Sequence, residues 1–94
     1  MSVEIVPKNN QCYGMGISNG SWYELLENKE IANLIGGLKT NDPIDVSKET
    51  ALKILEIVKK TTFSEKWSNP MGDGRTLMEL FIEFLECCDG FKTY

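Results

Sequence analysis

The sequence contains no histidine. That removes Ser-His-Asp and Cys-His nucleophile systems, the commonest general base, and most catalytic zinc sites. Arginine is nearly absent too: Arg75 stands alone among 10 basic residues, against 14 acidic ones, for a formal net charge of −4. Nucleic-acid binders show a basic face, and none is visible, so no nucleic acid is expected as a partner. No apolar run exceeds a few residues, so no membrane span is expected. Residues 1–7, MSVEIVP, lack the basic and apolar regions of a signal peptide. The three cysteines are Cys12, Cys87 and Cys88. An odd count with an adjacent pair makes a poor disulfide framework, which points to a reducing compartment and a cytoplasmic setting. No phosphate-binding loop or dinucleotide fingerprint occurs in its strand–turn–helix context. No cofactor and no metal are expected, and the chain reads as a non-enzyme.

What is present is the composition of an ordinary globular domain, 41% hydrophobic and 26% charged over 94 residues. That length fits one domain, 1–94, with room for a single core. Val3 and Ile5 alternate against Ser2, Glu4 and Val6 until Pro7, which predicts a strand. After a turn at residues 8–11, Tyr13, Met15 and Ile17 alternate with the small residues Cys12, Gly14, Gly16 and Ser18, which predicts a second strand and a hairpin. A lone hairpin is marginal in water, so its apolar face must pack on helices. Ser21 is a candidate helix cap. Trp22, Leu25 and Leu26 form one helical face, and Ile31, Leu34 and Ile35 another. Asn28-Lys29-Glu30 separates them, so the segment is either one interrupted helix or two short ones, ended by Gly36-Gly37.

Asp42 precedes a proline and is excluded from a helix, which places a loop over residues 39–46. Ser47 or Asp45 then caps a helix over 48–60. Its core face is Ala51, Ile54, Leu55 and Val58, and its solvent face is Glu49, Lys53, Glu56 and Lys60. A second connection runs from Thr61 to Gly74. Asp73 is the expected cap of a last helix over 75–88, which is apolar except for Glu79, Glu83 and Glu86. A helix of that kind is expected to be central and covered on most sides. Gly90 can end it, and Phe91 to Tyr94 alternate as a tail strand. The fold class is therefore α+β, mostly helical: three or four helices packed on a small antiparallel sheet formed by the N-terminal hairpin and the C-terminal tail.

Four features invite function, and each has a structural alternative. Cys87 and Cys88 suggest a redox or metal site. Neighbouring helical residues point about 100° apart, however, and cysteine is a common small core residue. The stripe Glu79, Glu83 and Glu86 reads either as an acidic docking surface for a basic partner, which Glu24, Glu27 and Asp89 would widen, or as the solvated edge of a buried helix. Trp67, between Lys66 and Ser68, reads either as an interface anchor or as a lid folded onto the core. Gly16, Asn19 and Gly20, and Gly72, Gly74 and Arg75, precede the expected helix starts. Exposed N–H groups there with a nearby arginine would suit a nucleotide or phosphate, whereas the alternative is ordinary turn and cap chemistry. A carboxylate or cysteine enzyme would need Asp42, Asp73 or a thiol to converge in one cleft.

Three segments carry a resemblance: Trp22-Tyr23-Glu24-Leu25-Leu26, the helix capped from Ser47, and Gly72-Asp73-Gly74-Arg75 leading into Leu80-Phe81-Ile82-Glu83-Phe84-Leu85-Glu86-Cys87-Cys88. In these the chain resembles small bacterial and phage proteins of unassigned activity. The resemblance implies an accessory or defence-related binding protein and supplies no catalytic residues. The leading expectation is a protein-binding module of inhibitor, immunity or accessory type. The alternative is a small-ligand binder at the glycine-rich helix starts. Homodimerisation through the apolar surplus of the last helix is a further expectation.

Overall fold

The structure, a computed structural model, describes residues 2–35, 44–68, 70 and 74–94. The expected Gly36-Gly37 cap, Asn41-Asp42-Pro43, Gly72 and Asp73 lie outside the described residues. The described elements are strands β1 (Ser2–Pro7), β2 (Met15–Ser18), β3 (Asp45–Ser47) and β4 (Gly90–Thr93), and helices α1 (Asn19–Leu26), α2 (Lys29–Leu34), α3 (Lys48–Lys60), α4 (Glu65–Ser68) and α5 (Leu77–Cys87). The strands form one antiparallel sheet in the order β2-β1-β4-β3. This is the α+β architecture expected from the sequence, with two differences. The tail strand lies inside the sheet, between β1 and β3, and β3 arises where the alternation was too short to separate from loop.

Alternation fixes which sheet face meets the helices. Val3 pairs with Ile17, Ile5 lies between Met15 and Thr93, and Phe91 lies between Pro7 and Val46. Val3, Ile5, Ile17, Val46, Phe91 and Thr93 are buried on that face. Glu4, Val6, Lys92 and Asp45 occupy the other, which is exposed. A one-residue slip would exchange the two sets. Asp45 accepts a hydrogen bond from the Lys8 ammonium on this open face, and that bond with the nearby Lys92 charge holds its carboxyl below the usual carboxylate range.

Caps set most helix boundaries. Ser47 caps α3, its hydroxyl accepting from the Thr50 N–H at 3.2 Å, and Ala51, Ile54, Leu55 and Val58 are buried as expected. Asn28 resolves the interruption into two helices: its side-chain oxygen accepts from the N–H groups of Glu30 and Ile31 at 3.0 and 3.2 Å. Two expected caps are displaced. Ser18, not Ser21, caps α1, accepting from the Ser21 N–H at 3.3 Å, and Ser21 itself is buried. Asn19 and Gly20 are therefore the first helical turn and not a turn before it. Thr76, not Asp73, caps α5. Its hydroxyl accepts from the Glu79 N–H at 3.1 Å and donates to the Glu79 carboxylate at 3.3 Å. In both helices the cap stands three residues from the expected one, and its own hydroxyl accepts from the helix.

At the other end of α5, Asp89 and Gly90 take positive φ values of 54° and 93° and turn the chain into β4. A Cβ on Gly90 would lie 2.7 Å from the Val46 carbonyl oxygen and 2.9 Å from the Lys48 nitrogen. Glycine is required there both for conformation and for the close approach of β3.

Most of the apolar surface of α5 is covered within the chain. Leu77, Phe81, Phe84 and Leu85 are buried, and Met78 and Ile82 pack half-buried at the edges of the core. The helix packs on α3 and α4 and faces the sheet on one side, so it is less enclosed than its composition suggested.

Trp67 is 1% exposed. Its ring lies between those of Phe63 and Phe81, at centroid distances of 5.5 and 5.6 Å. It is a lid on the core and not an exposed interface anchor. The lid is secured by Glu24, whose carboxylate accepts from the Ser64 N–H at 2.6 Å and the Ser64 hydroxyl at 2.5 Å, just before α4. Glu24 therefore has a structural task in place of widening an acidic docking surface.

Candidate functional site

The seven residues between β1 and β2 do not continue the hairpin ladder. Tyr13 was expected on the core face with Met15 and Ile17, yet it is 91% exposed, because the strand begins only at Met15. The loop is instead drawn across the C-terminal half of α5. Asn9 anchors it: its N–H donates to the Cys88 carbonyl and its side-chain amide to the Cys87 carbonyl, each at 2.9 Å. Three residues later Cys12 is joined to Cys87 by a disulfide, with the Cα atoms 5.7 Å apart. This corrects the sequence reading. The odd cysteine is Cys88, which is buried, and the adjacent pair divides its labour because its side chains diverge around the helix. Burial pushes the Cys88 thiol above its ordinary value. With Cys12 and Cys87 joined, the cysteine count no longer supports a reducing compartment.

Loop and helix enclose a cleft of about 320 Å³. Cys12, Tyr13, Gly14 and Met15 form one wall, and Leu80, Phe84 and Cys87 form the other, with Arg75 and Glu83 at its end. The floor is apolar: Met15 and Leu80 are half-buried, and Phe84 is buried. Arg75 and Glu83 form an ion pair on the surface. An exposed pair of this kind contributes little to stability, but it fixes the charge pattern at the cleft. Glu86, one turn further on, is exposed on the same flank.

The candidate residues named from sequence are thus redistributed. Glu83 of the acidic stripe and Arg75 of the expected anion site neutralise one another. Glu79 is occupied in capping α5, and Glu86 is exposed. Gly16 lies opposite Glu4, whose carboxylate oxygen is 3.2 Å from where a Gly16 Cβ would be, an environment that disfavours an anion. Gly20 lies on α1 with the Lys66 ammonium 3.1 Å from its Cβ position. Gly74, at φ 86°, is open to solvent. Among the described residues, Gly16 lies on β2, Gly20 on α1 and Gly74 ahead of α5. Asp42 and Asp73, which an enzyme reading would need, lie outside the described residues.

Tyr13, Leu80 and the Cys12–Cys87 bond were missed by sequence reasoning. The available signal was Tyr13 itself, an aromatic followed by Gly14 between a turn and a strand. Among the described residues, no group of three or more Cys, Asp and Glu is arranged to hold a metal ion, and no helix is long and apolar enough to cross a membrane. Comparison with protein-family models, curated proteins and solved structures returned no match to this chain.

Proposed function

We propose that this protein is a non-enzymatic protein-binding module, of inhibitor, immunity or accessory type, and that its contact site is the cleft between the Cys12–Met15 segment and α5. One observation carries the reading. Tyr13 is left 91% exposed at the mouth of a recess floored by Met15, Leu80 and Phe84. An aromatic kept in water beside apolar surface is the usual form of an interface anchor, since its large area is gained on docking at little entropic cost. At about 320 Å³ the recess is at the small end of ligand pockets, a size suited to one or two side chains of a partner.

Charge specifies the rest of that partner. Glu83 is already paired with Arg75, while Glu86, one turn further along α5, offers an exposed carboxylate. The fitting ligand is a peptide segment with a large apolar side chain for the cleft and a lysine or arginine next to it for Glu86. Selection from a random peptide library displayed on phage, with the oxidised protein as bait, tests this. Sequences with an apolar residue beside a basic one should be enriched, and their binding should be lost in Tyr13→Ala and Leu80→Asp. Failure to enrich any peptide on folded bait, or retention of binding by both variants, would overturn the proposal.

A further inference from the structure

One covalent bond joins the two walls of the cleft. The hydrogen bonds from the Gln11 and Cys12 backbone N–H groups return to Asn9, at 3.0 and 3.1 Å, and so close a local turn without reaching α5. Asn9 is tied to the end of α5, but Tyr13 projects into solvent. The covalent tie between the wall and the helix opposite is Cys12–Cys87, which itself lines the cleft. Its two residues are not equivalent: Cys87 is exposed, whereas Cys12 is 8% exposed within the core cluster. The remainder of the fold has its own supports. The three strand pairings and the buried cluster around Phe81, Trp67 and Ile54 do not pass through this bond.

We infer that the Cys12–Cys87 disulfide is a redox control on the cleft: the oxidised protein holds the binding wall in place, and reduction releases residues 10–14 while the domain stays folded. A dithiol reductant supplies the chemistry. One of its thiolates attacks the sulfur of Cys87, the more exposed of the two residues, and the sulfur–sulfur bond breaks with its electron pair going to Cys12, which takes up a proton. The second thiol of the reductant, as thiolate, then displaces Cys87 from the mixed disulfide, and Cys87 is protonated in turn. Two electrons and two protons pass to the protein, and the reductant leaves as a disulfide. Cys88, buried and with its thiol held protonated, stays out of the exchange. The consequence for binding rests on the cleft being the contact site. The mechanical consequence, a loosened loop on an intact domain, does not.

The experiment therefore has two readouts, both in a Cys88→Ala background that prevents reshuffling. First, the native protein is treated with dithiothreitol without denaturant, and hydrogen exchange is followed by residue. Protection should fall across residues 10–14 and persist in β1, β4 and α3. A bond that yields only in denaturant, an unchanged loop, or collapse of protection throughout overturns the inference. Second, a peptide selected on the oxidised protein is titrated against both states and against the Cys12→Ser/Cys87→Ser double variant. Affinity should fall by about tenfold or more in both disulfide-free forms, equivalent to re-ordering one or two flexible side chains. Equal affinity with a loosened loop would refute control of binding. If no peptide is selected, the cleft reading fails while the exchange data still decide the fate of the loop.

Discussion

Helices α3 and α5 lie side by side and contribute comparable numbers of core residues, but the sequence divides their surfaces differently. In α3 the apolar residues Ala51, Ile54, Leu55 and Val58 occupy one stripe, and the opposite face carries charge, with a long pair within the helix, Glu49 to Lys53 at 3.9 Å, and one pair at its first residue to the turn after α5, Lys48 to Asp89 at 3.4 Å. In α5 the exposed face is put to use at every turn. Glu79 completes a cap, Glu83 pairs with Arg75, Leu80 floors a cleft, and Cys87 is bonded to a loop from the other end of the chain. The solvent face of α3 is tied to a distant segment by one exposed ion pair, whereas that of α5 is tied by an ion pair and a covalent bond and borders the cleft.

The comparison is most sharply tested in the core, where the two helices should look alike. Phe81→Ala in α5 and Ile54→Ala in α3 each empty a fully buried position, and losses of about 3–5 and 2–5 kcal/mol are expected in denaturant unfolding. Loss confined to one helix would mean that the two do not share a core. A difference should open at the next level. Removing the disulfide as Cys12→Ser/Cys87→Ser frees a loop spanning 75 positions, for which the chain-entropy account gives about 4 kcal/mol. No surface change on α3 should approach that figure, and a double variant as stable as wild type would cancel the distinction.

Capping brings the helices together again. Ser47→Ala and Thr76→Ala should each cost about 0.5–2 kcal/mol, with Asp or Asn at the same position restoring most of the loss. An undiminished melting temperature in Thr76→Ala would return the α5 cap to some other residue. The smallest expected effect belongs to α5 alone. Because burial raises the Cys88 thiol, the folded state holds that proton more tightly than the unfolded state. Its contribution is complete below the ordinary thiol range and declines as pH rises through it, above about 8.5. Stability measured against Cys88→Ala should therefore fall with alkaline pH, and a pH-independent difference would contradict the burial argument.

These contrasts also explain what was legible in the sequence. The boundaries and core face of α3 could be read residue by residue, because its cap, its 3.6-residue period and its charge pairs are all local. The same reading applied to α5 found the helix and its apolar weight but chose Asp73 over Thr76 as the cap, although Thr76-Leu-Met-Glu79 carries the capping-box pattern. Arg75 and Glu83 were assigned to separate hypotheses, since residues eight apart along the chain give no hint that one neutralises the other. Trp67 could be a lid or an anchor from sequence alone. Its burial between Phe63 and Phe81 depends on α4, a four-residue helix held in place by Glu24 from 40 positions away.

The sequence by itself determined the α+β class, the hairpin and tail strands, the division at Asn28, the helix from Ser47 and the identity of most core residues. Each of these follows from periodicity or from an oxygen within three residues of the N–H it accepts. Tertiary structure alone decided the central place of β4, the cap of α5, the partner of Arg75 and above all the Cys12–Cys87 bond with the cleft beside it. Those features join residues far apart along the chain. Local chemistry makes such pairings available, and only the packed sheet and helices bring their members within bonding distance.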